Sequence, residues 1–295
     1  MPHTMSRMGD VLAGFHAAWE FESDSVLIRY ERGIRTPKLF QALGERRVPL
    51  EAIEGVTLTP GRRGSVVLRV EPRAGADPLI EAAAGQLKEG GDPYRLVLPA
   101  ERATLAEYYA DELAALLTES GKTERYLVAP PEAPLHFKAY DGKASFDGEA
   151  VSFRWSWTGA SSAKWKAGDQ SFPVAGLGGV EWRSPEMFEG YLRLLPRDAD
   201  PSAAPAVPQA DQDPAAVVFG LGYGPVHESL PFAAAVLAAV RERSASAPVP
   251  VPVPAPRRDP ADIAERIRHL GELHQQGLVT DEEFSSKKAE LLAEL

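Results

Sequence analysis

Val48-Pro49-Leu50-Glu51-Ala52-Ile53-Glu54-Gly55-Val56 reads against Phe172-Pro173-Val174-Ala175-Gly176-Leu177-Gly178-Gly179-Val180. Both follow apolar-Pro-apolar-x-x-apolar-x-Gly-Val, and the glycines Gly55 and Gly179 lie 124 positions apart. Upstream, Phe21 and Val26-Leu27-Ile28-Arg29-Tyr30 match Phe146 and Val151-Ser152-Phe153-Arg154-Trp155. Downstream, Leu113-Ala114-Ala115-Leu116 matches Leu237-Ala238-Ala239-Val240. A correspondence held in register over this length predicts two copies of one domain.

Within the first copy, the alternating run from Glu20 to Tyr30 and the short apolar stretches Val48–Leu50, Gly55–Thr59, Ser65–Val70 and Tyr94–Leu98 predict strands. Thr59-Pro60-Gly61-Arg62-Arg63-Gly64 reads as a hairpin turn. From Ala103 to Leu117 the apolar period becomes helical. The second copy repeats the order: strands over Ala144–Trp157, Ser171–Trp182, Tyr191–Leu195 and Ala216–Gly220, then a helix over Leu230–Arg241. Asp213-Pro214 echoes Asp92-Pro93 before the last strand of each copy. Each copy is thus expected to be a meander of six or seven strands closed by one helix. The stretch Arg197–Gln212, rich in Pro, Ala and Asp, reads as a surface loop.

The expected division is a leading extension over 1–10, repeat 1 over 11–120, a linker over 121–134 and repeat 2 over 135–243. A proline-rich linker over 244–258 and a helical hairpin over 259–295 follow. Alternating Pro and Val in 248–254 excludes helix and interior strand and favours an extended polyproline rod. Asp259 and Pro260 are helix-start residues and Gly277 a stop. Thr280-Asp281-Glu282-Glu283 is a capping box for a second helix. Ile263, Ile267, Leu270 and Leu273 on one helix, and Phe284, Leu291 and Leu292 on the other, form apolar faces too small for a secure core. They are therefore expected to serve self-association or a protein partner.

Phe146-Asp147-Gly148-Glu149-Ala150-Val151, together with the repeated Pro and Gly-Val pattern, resembles the bacterial domain-of-unknown-function family numbered 4429. That family looks related to the pleckstrin-homology-like superfold. The resemblance implies an α+β, mainly β fold: two tandem β-sandwich domains, each closed by a C-terminal helix. The first copy departs from the opening motif, with Phe21-Glu22-Ser23-Asp24-Ser25 in its place. Ile267 to Leu273, followed by Gly277-Leu278-Val279-Thr280-Asp281-Glu282-Glu283-Phe284, resembles the short C-terminal domain called SHOCT, which implies a role in assembly.

The chain has 295 residues, no cysteine and a net charge of −10. Disulfides and thiolate metal sites are excluded, and the acidic balance argues against nucleic acid as a partner. No apolar run reaches the ~18 residues of a membrane span, and the N-terminus does not read as a signal peptide; a cytoplasmic location is expected. The six histidines fall at no metal-binding spacing. Neither a nucleophile elbow nor a phosphate-binding glycine loop occurs. No enzyme activity, metal or cofactor is therefore expected.

Two stretches stand out as candidate contact surfaces. Arg29 to Arg73 holds ten cations against five acids. In the fold implied by the resemblance, early hairpin loops would bring Arg32, Arg35, Lys38, Arg62 and Arg63 to an anion, such as an anionic membrane surface. The matching part of repeat 2 offers Trp157, Lys164, Trp165 and Lys166, which suit an apolar or protein partner. The expectation is a non-enzymatic binding or scaffold protein tethered through its C-terminal hairpin. A peripheral anionic-lipid binder using the repeat 1 arginines is the alternative, and an enzyme with a site between the repeats the more distant one.

Overall fold

The computed structural model describes residues 10–187, 189–197, 209–246 and 280–293, with Arg268, Leu270, Gly271 and His274 between the last two stretches. The chain divides into two compact units, residues 1–246 and 247–295.

Repeat 1 opens with β1 (Asp10–Ala13), β2 (Ala17–Phe21), β3 (Ser25–Tyr30) and β4 (Glu45–Pro49), an antiparallel sheet in sequence order. A second antiparallel sheet holds β5 (Ile53–Pro60), β6 (Val66–Pro72) and β7 (Arg95–Leu98). Helix α3 (Ala103–Leu116) closes the repeat, after α1 (Lys38–Leu43) and α2 (Pro78–Ala83). Repeat 2 follows the same plan. β8 (Leu135–Lys138), β9 (Gly142–Phe146), β10 (Ala150–Trp155) and β11 (Gln170–Pro173) form one sheet. β12 (Leu177–Arg183), β13 (Tyr191–Pro196) and β14 (Ala216–Val218) form the other. Helix α4 (Ser162–Ala167) lies between β10 and β11, and α5 (Val226–Ser246) closes the repeat. Each repeat is an open sandwich of four and three strands, so the fold is α+β and mainly β.

The opening motif now has a mechanical meaning. Pro49 and Pro173 end β4 and β11, because proline has no N–H for the ladder. The next amide turns back to the preceding hairpin: Leu50 N–H donates to Asp24 O at 2.8 Å, and Val174 N–H to Glu149 O at 2.8 Å. One 3₁₀ turn later, β5 and β12 begin with a register shift between Ile53 and Gly55 and between Leu177 and Gly179. Proline, turn and bulge carry the chain from the four-stranded sheet to the three-stranded one.

The cores form where the sheets face each other. In β2 the pattern alternates, with Ala17, Trp19 and Phe21 buried. Phe21 stacks on Tyr109 of α3 at 4.4 Å, and in repeat 2 Phe146 meets Phe232 of α5 at 6.2 Å. The closing helices therefore align as Tyr109 with Phe232, one residue out of step with the match of Leu113 to Leu237 read from sequence.

The core of repeat 2 takes in side chains from repeat 1. Leu39 of α1, with Leu79, Ala82 and Ala83 of α2, belongs to the same buried cluster as the core of repeat 2. The middle of helix α5 is covered on all sides, with Leu230, Phe232, Ala233, Ala234, Ala235 and Val236 buried. Such an all-round apolar stretch is a core segment. Arg241 of α5 holds both carboxylate oxygens of Glu81 at 2.7 and 2.9 Å. Gln86 donates to Trp182 O at 2.9 Å and accepts from Ser184 N–H at 2.9 Å.

Three short helices, α1, α2 and α4, were absent from the sequence expectation, as were the edge strands β1 and β8. Glycines Gly44 and Gly168 end α1 and α4 at φ 66° and 71°, which leaves each only six residues and no readable period. Most of the loop expected over Arg197–Gln212 (198–208) and the proline-rich linker from Ala247 to Arg258 lie outside the described residues. In the second unit, α6 (Asp281–Ala293) starts where the capping box places it, and Phe284 N–H donates to Thr280 O at 2.9 Å.

Candidate functional site

Helix α4 is one place where the copies diverge. In repeat 1 the equivalent helix buries Phe40, which stacks on Tyr30 at 4.9 Å. In repeat 2, Lys164 stands in the place of Phe40 and Trp155 in that of Tyr30, with the ammonium 5.0 Å from the ring centre. Lys164 is fully buried: Nζ donates to Asp141 Oδ2 at 2.5 Å and to Ala216 O at 2.8 Å. Asp141 Oδ1 accepts from Val218 N–H at 3.0 Å. Burial pushes the Asp141 carboxyl up and the Lys164 ammonium down, and each charge opposes the other's shift. The expectation that Lys164 offers its charge to a partner is therefore corrected. Its four-carbon stem reaches inward from the buried face of a six-residue helix, and its charge is used inside repeat 2.

Repeat 1 has its own buried polar centre. Arg46 Nη2 donates to Asp77 Oδ1 at 2.8 Å, Tyr94 Oη donates to Asp77 Oδ2 at 2.5 Å, and Leu79 N–H caps α2 onto Asp77 Oδ1 at 2.8 Å. Burial works against the Arg46 charge, but Tyr94 and Asp77 outweigh it and raise its pKa. Burial also drives the Tyr94 phenol well up. Every polar group in this cluster has its partner within the fold, so it braces α2 rather than presenting chemistry.

The neighbours of Lys164 remain outside. Trp165 and Trp157 are 50% and 81% exposed and meet edge to face at 5.2 Å. Lys166 is exposed beside them. Tyr140, 54% exposed, lies against the segment after Trp157: a side chain on Gly159 would run into the Tyr140 carbonyl. Tyr140 in turn meets Tyr223 edge to face at 6.4 Å. Tyr223 lines a cleft of about 920 Å³ between the repeats, with Leu221 and Met187 on its repeat 2 wall and Pro37 and Lys38 on its repeat 1 wall. Beside Lys38 at this cleft, His227 titrates below its ordinary value, through burial first and Lys38 second, against the pull of Glu228. Tyr140, Tyr223, Leu221 and Met187 carry no periodic signal, and only the folded hairpins assemble them.

The repeat 1 cations are not joined by any contact among the described residues. Arg32, Arg35 and Lys38 are exposed on the connection from β3 into α1, and Lys38 alone lines the cleft. Arg62 and Arg63 stand exposed at the turn between β5 and β6, on the other sheet. Of the residues expected to self-associate, Ile263, Ile267 and Leu273 lie outside the described residues. Leu270 and Phe284 are half-buried, and Phe284 stacks on His274 at 4.6 Å. Leu291 and Leu292 fall on α6, their side chains outside the description. Among the described residues no three His, Asp or Glu side chains gather as a metal site, and no helix is long and apolar enough to cross a membrane.

The family model described as Domain of unknown function (DUF4429) matches residues 19–114 and again 144–237, each sandwich without its first strand and the greater part of each closing helix. The model described as Short C-terminal domain matches residues 265–292. No curated protein matches the chain. The two matched regions together span well over half of the sequence, and the chain belongs to the DUF4429 family, as a tandem pair followed by a Short C-terminal domain.

Proposed function

We propose that this protein is a non-enzymatic scaffold, in which the fused repeats receive a protein segment in the cleft between them and the C-terminal unit joins copies together. The observation that carries this reading is the cleft itself. Its walls come from both repeats, which are joined where α1 and α2 enter the core of repeat 2, and its lining combines Leu221, Met187 and Tyr223, beside Gly220 and Gly222, with the charged Lys38, Lys88, Glu186 and Glu189. Apolar walls with a few polar groups suit binding. The strongly shifted Tyr30, Arg46 and Tyr94 are buried within repeat 1 and do not line this cleft, where His227 alone of the shifted groups among the described residues stands, its pKa lowered chiefly by burial. That arrangement favours binding over catalysis. The Short C-terminal domain supplies amphipathic helices too small to bury their own apolar faces securely.

Light scattering of the full chain and of a chain ending at Ser246 tests the assembly half of the proposal. The full chain is expected to give a multiple of the 31.9 kDa monomer mass and the shortened chain a monomer. A monomeric full chain at micromolar concentration refutes it.

A further inference from the structure

The outer face of the four-stranded sheet in repeat 2 carries a row of cations in register. Lys138 on β8 pairs with Lys143 on β9, and Lys143 pairs with Arg154 on β10. All three are exposed. With strands about 4.8 Å apart, three like charges stand within roughly 10 Å of each other. Like charges placed directly opposite on neighbouring strands destabilise a sheet. Among the described residues neither Lys138 nor Lys143 has an ion-pair partner, and Arg154 has only Asp169, at 3.5 Å.

The matching face of repeat 1 differs. Ala13 pairs with Ala18, and Ala18 with Arg29. Arg29 is neutralised by Glu20 and Glu45, and Arg47 by Glu22. One copy therefore cancels its charge on this face and the other concentrates it, within a protein whose net charge is −10. Below the cationic row lies a second outward row of small polar groups, His136, Ser145 and Ser152.

The exposed aromatics border the end of the sheet where the cations stand. Tyr140 tops the hairpin whose arms carry Lys138 and Lys143, Trp157 lies three residues beyond Arg154, and Trp165 packs on Trp157. Tryptophan and tyrosine beside lysine and arginine match the lipid–water boundary, where rings sit at headgroup depth and cations meet lipid phosphates. Cations exposed in register along one sheet face fit a planar partner. The aromatic pairs meet edge to face with each other, at 88° and 73°, instead of standing apart as separate platforms for stacked bases.

We infer that this face of repeat 2 docks the protein on an anionic lipid bilayer, with Lys138, Lys143, Arg154 and Lys166 at the headgroups and Trp157, Trp165 and Tyr140 at the interface. The inference goes beyond the scaffold reading and rests on a different surface from the cleft and the C-terminal unit. It also moves the anion-binding role from the repeat 1 arginine loops to repeat 2.

Sedimentation of the full chain with vesicles of equal parts phosphatidylserine and phosphatidylcholine, against phosphatidylcholine alone, provides the test. Binding is expected only to the anionic vesicles, weakening with salt, with a blue shift in tryptophan emission. Lys138→Gln, Lys143→Gln and Arg154→Gln together should lower the partition coefficient about a hundredfold, from about fivefold per charge. Trp157→Ala with Trp165→Ala should abolish the blue shift, while Arg62→Gln with Arg63→Gln should leave binding unchanged. All seven side chains are exposed, and circular dichroism confirms that each variant is folded. Equal binding to both vesicle types, an unaffected triple variant, or preference for an acidic peptide or a single-stranded oligonucleotide over the vesicles overturns the inference.

Discussion

Replacing Lys164 by methionine removes the ammonium from a fully buried site. Asp141 would keep one hydrogen bond, from Val218 N–H, and lose its cation, while Ala216 O would lose a donor. Breaking a buried pair by removing one partner costs about 3–5 kcal/mol. Changing both groups, with Asp141→Asn and Lys164→Met, leaves an acceptor for Val218 N–H and no buried charge, so the double variant should lie within about 1 kcal/mol of the parent. Repeat 1 supports this expectation, because Phe40 fills the Lys164 position without a charge.

The single variant should also depend on pH. Asp141 already titrates above its ordinary value in the folded state because of burial, and loss of the lysine raises it further. A carboxyl with a raised folded pKa is tolerated when protonated. The deficit should therefore be small near about pH 4, around the ordinary carboxylate value, and grow as pH rises through the folded pKa. Urea unfolding followed by tryptophan fluorescence reads both effects as shifts in midpoint at constant slope. A cost below about 1 kcal/mol for Lys164→Met at pH 7, or a double variant as unstable as the sum of the singles, would refute the reasoning.

Tyr94→Phe removes the phenol that donates to Asp77 and leaves the carboxylate its bonds from Arg46 and Leu79 N–H; a loss of about 1–3 kcal/mol is expected in the same unfolding assay. Lys38→Glu should raise the His227 pKa, which burial and Lys38 now hold below 6.5; histidine ring shifts followed by NMR across pH 4 to 8 check the direction, and an unchanged midpoint counts against their coupling.

The division into two sandwiches was legible because its markers act through the backbone. Pro49 and Pro173 have no amide hydrogen, so each ends its strand whatever side chains surround it; Gly55 and Gly179 mark the bulges that follow. The start of α6 was readable from its capping box, Thr280 to Glu283. Helices α1, α2 and α4 were not, since six residues complete less than two turns and their stability comes from the core they touch. Lys164 was misjudged because its neighbours Trp165 and Lys166 are exposed, and sequence adjacency on a helix does not place residues on one face. The row of Lys138, Lys143 and Arg154 depends on strand register, which brings together positions that no linear spacing singles out.

The embedding of α1 and α2 in the second core also sets an order of events during synthesis. Leu39, Leu79, Ala82 and Ala83 leave the ribosome long before α5, the helix that covers them, and α5 is the last element of the first unit to be made. Chains grow at about 5–20 residues per second, so these apolar side chains wait on the order of ten seconds for their partner. Repeat 1 therefore cannot bury them as it emerges, even though its own sheets and α3 are already complete. During that interval the nascent chain presents an adhesive face that a chaperone, or a neighbouring nascent copy, can reach before α5 does.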